Sequence, residues 1–397
     1  MGTRTLDVSV VIDPERRERV TAALIKHGID AVICTSASAI LLLTGYWPVV
    51  GASVAVVSAE GETHVIVPED EVELAEQSSQ AVLLPYKPSE LARIITPIQA
   101  LTKPLSSLTT RLGLSPAKIG IELDQGMQPA SYVTSTDFRS SLPTLLRQIL
   151  PNAAFVCCSE ILERMKASKT IKELHMMRVA AQVAASGFAT AADEIKAGRR
   201  ETEVAAALHS AFQSSVQAES VQRSYGFFFC MSGPNSARAA AAYARTRQRK
   251  IEEGDLVMIH ANTCADGYWT DITRTYSAGT STDRHDAMGA AIAEARTAAL
   301  DAIRPGAMAR EVDGAARTVM TSHGFGDAFR HPTGHGVGFA AANGNALPRI
   351  HPQSPDFLEL GMTFNIEPAA YVDGYGGMRH CDVVAVTSDG VEVLTEF

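Results

Sequence analysis

His260 and Asp271 stand eleven residues apart in "HANTCADGYWTDITRT" (260–275). An imidazole and a carboxylate buried together on adjacent strands can hold a metal ion, pass a proton, or only satisfy one another. Three further segments gather groups of the same kind: "HPTGHGVG" (331–338), "FNIEPAAY" (364–371) and "GGMRHCDVV" (376–384). They supply His335, Glu367 and Cys381. Taken singly, each has a structural reading, as a histidine beside a glycine-rich turn or a glutamate closing a strand. Taken together they put two histidines, two acids and a cysteine on neighbouring strands of one domain. Burial of that much charge is costly unless it is paired or metal-bound, which points to a functional site. Arg330, just before the first of these segments, and Arg379, two residues before Cys381, can grip a substrate carboxylate through two N–H groups or pair with a structural acid.

The elements that must position these groups read as two domains, 1–162 and 163–397. The first alternates helix and strand: a helix over 13–28 stopped by Gly28, a strand over 29–35, a hairpin over 53–68 around Glu60-Gly61, and a strand over 118–124. Beyond the polar junction 163–173 the pattern changes. Helices are predicted over 171–196, 200–217, 281–303 and 308–324, and strands over 255–263, 268–276, 361–371, 378–387 and 391–395. The Ala-rich stretch 237–244 reads locally as helix. Two helix pairs, each with its own strands, make a pseudo-duplicated α+β layout with helices on one face of an antiparallel sheet.

Composition excludes several function classes. A net charge of −9 argues against nucleic acid, whose phosphates need clustered Lys and Arg. The basic run "RTRQRK" (245–250) is followed at once by Glu252, Glu253 and Asp255 and reads as a solvated strand edge. No apolar run approaches the ~18 residues of a membrane span. The first residues carry neither a signal-peptide core nor a myristoylation pattern, because Leu6 stands where Ser or Thr is needed. Six cysteines without framework spacing suit a reduced, cytoplasmic compartment.

Across nearly its whole length the chain resembles the pita-bread fold enzymes: creatinase, aminopeptidase P, prolidase and methionine aminopeptidase. The segments that carry the resemblance are "SGPNS" (232–236), the run 252–279, "HPTGHGVG", "GMTFNIEP" (361–368) and "GMRHCDVVAVTSDGVEVLT" (377–395), in family order. "GIDAVICTSASAILLLTGY" (28–46) occupies the usual place in a creatinase-type N-terminal domain. The implied fold is a creatinase-type α/β N-terminal domain followed by a pseudo-duplicated pita-bread catalytic domain. In the family's peptidases two metals sit among Asp, Asp, His, Glu and Glu. The resemblance places the second Asp at Asp271, the His at His335 and the first Glu at Glu367. The first Asp falls on His260 and the final Glu, which bridges the metals, on Cys381. Tyr243 stands where an active-site histidine is usual, and Asn343 and Asn345 replace another.

These replacements remove charge from one metal position and spare the other. They imply no dinuclear centre, and either no metal or one divalent transition metal on Asp271, His335 and Glu367, with His260 and Cys381 as further candidates. His260 can alternatively transfer protons, its ordinary pKa lying near neutrality. His335, Glu367 and Tyr243 complete the expected catalytic set. Arg330, Arg379, Asn345, Tyr46 and Trp47 form the expected substrate-binding set, the last two on a lid loop (44–53) closing a partner's site in a homodimer. Creatinase and ectoine hydrolase, which this chain resembles in lacking the full ligand set, imply hydrolysis of a C–N bond in a small amide, ureido or amidino metabolite. An Xaa-Pro aminopeptidase or dipeptidase using one divalent metal is the alternative, and a non-catalytic family member the second.

Overall fold

The structure is a computed structural model and describes residues 13–49, 52–89, 91–92, 94–123, 138–215, 221–240, 245–341, 343 and 346–397. The chain divides into two compact units, one comprising Met1–Gln125 and Ser131–Met165, the other Gly126–Ala130 and Lys166–Phe397.

In the first unit, α1 (Pro14–His27) starts where the Asp13 carboxylate accepts the Arg16 N–H. It stops at Gly28, whose φ of +58° suits a residue without a Cβ. Strands β1 (Ala31–Cys34), β2 (Val54–Ser58), β3 (Thr63–Pro68), β4 (Val82–Tyr86), β5 (Lys118–Ile121) and β6 (Ala154–Cys157) form one mixed sheet in the order β4-β3-β2-β1-β5-β6. The helices between them are α2 (Ala37–Thr44), α3 (Val72–Ser78), α4 (Pro97–Arg111) and α5 (Phe138–Ile149), and α6 (Ser159–Ala167) leads out of the unit. Tyr46, expected on a lid, is fully buried here. Its hydroxyl donates to the Glu71 carboxylate, which also takes the Val49 N–H at 2.8 Å. The lid reading of Tyr46 is therefore corrected: a buried phenol needs a partner, and Tyr46 finds it within its own unit. Trp47 is half-buried.

The second unit opens with α7 (Ile171–Phe188), begun by a capping box between Thr170 and Glu173. The helix expected to reach residue 196 ends at Phe188 and is followed by the short α8 (Ala191–Glu194). The Thr190 hydroxyl donates to the Gly187 carbonyl at 3.2 Å, competing with the backbone ladder at the break. Next comes α9 (Glu201–Ser215), whose first residue does more than favour the helix dipole. The buried Glu201 carboxylate accepts hydrogen bonds from Ser232, Asn235 and the Arg247 N–H, tying the "SGPNS" turn to the helix. Of the stretch read as helix at 237–244, Ala237 and Arg238 lie in a 3-10 turn, and 241–244 fall outside the described residues.

Three long strands, β7 (Ser224–Ser232), β8 (Leu256–Ala265) and β9 (Tyr268–Ser277), form an antiparallel sheet against which α7 and α9 pack. The second half repeats the theme. Helices α10 (Asp283–Asp301) and α11 (Ala309–Ser322) cover strands β10 (Thr363–Ile366), β11 (Ala369–Val372), β12 (Gly376–Arg379), β13 (Asp382–Val386) and β14 (Val391–Val393). These strands pair as β10-β13-β14 and β11-β12. Alanines 291, 295 and 316 in the helices bring Phe364, Ile366, Tyr371 and Val384 into one core, small residues allowing close approach. The strands expected as continuous over 361–371 and 378–387 are each broken. Pro368 has no N–H for a ladder, and His380-Cys381 carries the chain from one sheet to the other. No described helix is long and apolar enough to cross a membrane.

Candidate active site

The eleven-residue spacing of His260 and Asp271 is explained by the turn between them. Asp266 and Gly267 both have positive φ, 46° and 92°, the two-residue turn that an Asp-Gly pair favours in a tight hairpin. That turn sets the register, pairing His260 with Thr273 and Asn262 with Asp271. Since strand side chains alternate, all four share one face, and His260 and Asp271 meet diagonally, Nδ1 to Oδ1 3.5 Å.

Three other elements converge on that face. Cys381 makes an antiparallel bridge to Thr273, which lays its Sγ 3.1 Å from the Asp271 carbonyl. His335 lies on the segment flanked by Gly334 and Gly336, its N–H donating to Asn365 Oδ1 at 2.7 Å. Its Nδ1 lies 3.1 Å from the Gly336 carbonyl, an acceptor only, so the proton sits on Nδ1; Nε2 accepts from Asn365 Nδ2 at 3.4 Å and lies 3.6 Å from Asp271 Oδ2. A Cβ on Gly334 would sit 1.8 Å from the Asn365 carbonyl oxygen, so only glycine fits there. Gly334→Ala should therefore lower stability by about 1–3 kcal/mol. By shifting His335 it should also reduce turnover about 10²-fold. Thermal unfolding and kinetics on the same preparation check both.

Glu367 directly follows β10, with its N–H donating to the Thr333 carbonyl at 2.8 Å. Its Oε2 lies 3.6 Å from Arg379 Nη1. Arg379 is the hub of the site: Nε donates to Thr273 Oγ1 at 3.0 Å, Nη2 to His260 Nδ1 at 2.9 Å and Nη1 to the Tyr371 hydroxyl at 3.4 Å. Tyr371 in turn lies 2.9 Å from His331 Nε2, whose other nitrogen donates to the Pro332 carbonyl. Thr273, His331, Asn365 and Tyr371 were not singled out from sequence. His331 and Tyr371 lay inside segments marked for other residues, but their partners are distant in sequence and nothing local announces them.

Electrostatics follow from burial. It pushes His260 down to about 4, with Arg379 and Arg245 adding to the effect and Asp271 opposing it. His260 is thus neutral at pH 7 rather than titrating near neutrality. His331 is likewise held down at about 4, by burial and then Arg379. Burial raises Asp271, and the neighbouring Glu367 charge adds to that, while His260, His335 and Arg379 pull it back. Cys381 is raised well above the ordinary thiol range, by burial first and then by Asp271 and Glu367, so it stays a protonated thiol. Burial alone would lower Arg379, but Tyr371, Glu367, Cys381 and Asp271 around it raise it overall, and the guanidinium remains charged.

Not every residue expected from sequence joins this cluster. Arg330 forms a two-point pair with Asp373 at 2.8 and 3.1 Å, the structural alternative for that residue. Nε, Nη1 and Nη2 of Arg379 each contact protein, ordering Thr273, Tyr371 and His260 around it. Tyr243 and Asn345 lie outside the described residues. A cavity of about 450 Å³, lined by Arg274, Arg296, Met378, Arg379, His380 and Asp382 among others, also adjoins the β12 strand. There Asp382 accepts from Arg274, Arg296 and His380.

Residues 175–388 match metallopeptidase family M24 and residues 16–167 the Creatinase/Prolidase N-terminal domain. The chain belongs to family M24 and is an enzyme of the hydrolase class. It is 25% identical over 386 residues to the Xaa-Pro dipeptidase of Pyrococcus horikoshii, spanning 96% of this chain and 97% of that one. It is 33% identical over 260 residues to the probable dipeptidase PepE of Mycobacterium tuberculosis, 64% of this chain and 66% of that one. Among solved structures, the Xaa-Pro dipeptidase from Bacillus anthracis superposes with a TM-score of 0.78 at 26% identity, over 97% of this chain and 98% of that one. These relatives overturn the expectation of a creatinase-like hydrolase of amide, ureido or amidino metabolites. Loss of metal ligands had suggested leaving the peptidases, yet the full-length likeness is to dipeptidases.

Peptidases of this family typically use divalent metals. The donors here do not fit two ions. His260 and Cys381 stand in place of two carboxylates, His260 offers Nδ1 to a guanidinium, and the Arg379 cation already lies beside Glu367. Among the described residues no three His, Cys, Asp or Glu side chains converge to hold an ion. The Asp271–His335 pair does fit one. Two donors at about 2.1 Å from a single tetrahedral or octahedral ion lie roughly 3.0–3.4 Å apart, close to the 3.6 Å observed.

Proposed function

We propose that this chain is a dipeptidase, with Xaa-Pro dipeptides among its substrates, that works with a single divalent ion held by Asp271 and His335. The observation that carries this reading is His335 Nε2 lying 3.6 Å from Asp271 Oδ2, within a chain whose full-length relatives include Xaa-Pro dipeptidases. When bound, the ion would supply a Lewis acid and a water of lowered pKa. The protein's own groups set its surroundings. The Gly336 carbonyl fixes the His335 tautomer, and Arg379 offsets the negative charge of Glu367 and Asp271. A homodimer, implied by the resemblance, and a cytoplasmic location, supported by six free cysteines, belong to the same proposal. Light scattering tests the first.

The decisive experiment titrates metal-stripped protein with Mn²⁺ or Zn²⁺ while assaying Xaa-Pro and other dipeptides. Activity should saturate at one ion per chain, and longer peptides should be poor substrates. Failure to cleave any dipeptide would overturn the dipeptidase reading. Activity that rises in proportion to a second tightly held ion would overturn the single-ion part.

A further inference from the structure

The basic run 245–250, expected as a solvated strand edge, places its three arginines in three different settings. Arg249 donates to the Ser232 hydroxyl at 2.7 Å and pairs with Asp255, while Arg247 is exposed. Arg245 is half-buried and turns back over the sheet that carries the site, its guanidinium carbon 5.0 Å from the Phe229 ring centre. Two hydrogen bonds fix that approach. The Arg245 carbonyl accepts from Asn235 Nδ2 at 3.0 Å, and the Thr246 hydroxyl accepts the Cys230 N–H at 2.9 Å. Phe229 pairs in register with His260 and stacks on its ring at 5.9 Å and 16°. Phe227 stacks on Phe229 at 6.0 Å and 15°, and pairs with Asn262, the strand partner of Asp271. Since strand side chains alternate, Phe227 and Phe229 share the face of His260 and Asp271. One aromatic ring thus separates the Arg245 guanidinium from that cluster.

We propose that Arg245 is a specificity-determining residue of this dipeptidase, binding a carboxylate of the substrate beside Phe229. The inference rests on the dipeptidase reading. The carboxylate is the terminal one or that of an acidic side chain, since both present the same planar anion. Stacking on an aromatic ring uses the face of a guanidinium and not its in-plane N–H groups, which are what a carboxylate meets with two hydrogen bonds. The ring also excludes water from one side, so an anion is held more strongly there than at an open surface. A dipeptide is roughly 7 Å long when extended. With its amide at Asp271 and His335, the substrate can extend a carboxylate across the Phe227 and Phe229 rings. Arg330, expected from sequence to grip a carboxylate, is paired with Asp373, and Arg379 already neighbours Glu367. Arg245 supplies a cation on the open side of the same face.

Steady-state kinetics of the Mn²⁺-loaded enzyme with Ala-Pro, Asp-Pro and Ala-Pro amide test this. Arg245→Met keeps apolar packing on Phe229 and removes the charge. KM for a substrate whose carboxylate is bound should rise about 10–100-fold, with kcat changing far less. Arg245→Lys, which keeps the charge without the fork, should fall between the two. A loss on Ala-Pro and Asp-Pro but not on the amide assigns the terminal carboxylate. A loss on Asp-Pro alone assigns the acidic side chain. No loss, or an equal loss on all three, would overturn the inference. If wild-type protein cleaves none of them, the dipeptidase reading fails on its own account. Calorimetric titration of Ala-Pro and Asp-Pro into wild type and Arg245→Met then decides on Arg245, equal affinities or no binding to either protein refuting its role.

Discussion

Asp271→Asn should reduce dipeptide turnover by about 10³-fold or more and abolish tight ion binding while leaving the protein folded. The change is nearly isosteric and sits on a strand whose backbone pairing does not depend on the side chain. It removes the one carboxylate that faces His260, His335 and Cys381 together. Loss of several kcal/mol of charge stabilisation corresponds to roughly three decades in rate. The stability effect has the opposite sign. Burial raises the Asp271 pKa in the folded state, so the native protein holds this proton more tightly than the unfolded chain. In ion-free protein Asp271 therefore costs stability as pH climbs from the unfolded carboxylate value through the raised folded one. The Asn variant lacks that slope and should melt at or above the wild-type temperature at pH 7. Differential scanning calorimetry across pH, run beside the kinetics, separates the two. A variant that keeps most of its activity, or one that unfolds, would remove Asp271 from the centre of the site.

Much of this site could be read before any fold was known, and the reasons differ by residue. The Asp-Gly turn and the period-two pattern on either side of it place His260 and Asp271 on paired strands with no information from elsewhere in the chain. His335 and Glu367 were visible through the segments around them, and the structure brings His335 to Asp271 and Glu367 to Arg379. What could not be read is the set of contacts between distant segments. Thr273 matters because Arg379 lies across it, 106 residues away in sequence, and Tyr371 because it links Arg379 to His331. A lone arginine in "GMRHCD" looks like a carboxylate receptor until its partners are known. The broken strands at Pro368 and His380-Cys381 were read as continuous because apolar alternation persists through them, although the chain changes sheet there. Function misled for a related reason. Missing ligands were read as a change of reaction to creatinase-like hydrolysis, while the full-length relatives are Xaa-Pro dipeptidases.

Replacing Arg379 should give the largest change in stability. In Arg379→Met the apolar chain fills the volume, but Glu367 and Asp271 lose their shared counter-charge in a buried setting, a loss of about 3–5 kcal/mol. For a unit of this size that corresponds to a fall in melting temperature of roughly 10 °C. Arg379→Lys keeps the charge but not the fork, because an ammonium cannot reach Thr273, His260 and Tyr371 together, so it should recover only part of the loss. Divalent ions provide the internal control. With the guanidinium gone, the vacated space between Glu367 and Asp271 favours a cation more strongly than in the wild type, and ligand binding to the folded state raises its stability. Adding Mn²⁺ should therefore raise the melting temperature of Arg379→Met by more than it raises that of the wild type. Equal shifts would mean that Arg379 does not compete with an ion for these carboxylates. An unchanged melting temperature without ions would mean that the guanidinium contributes order alone and no net charge compensation.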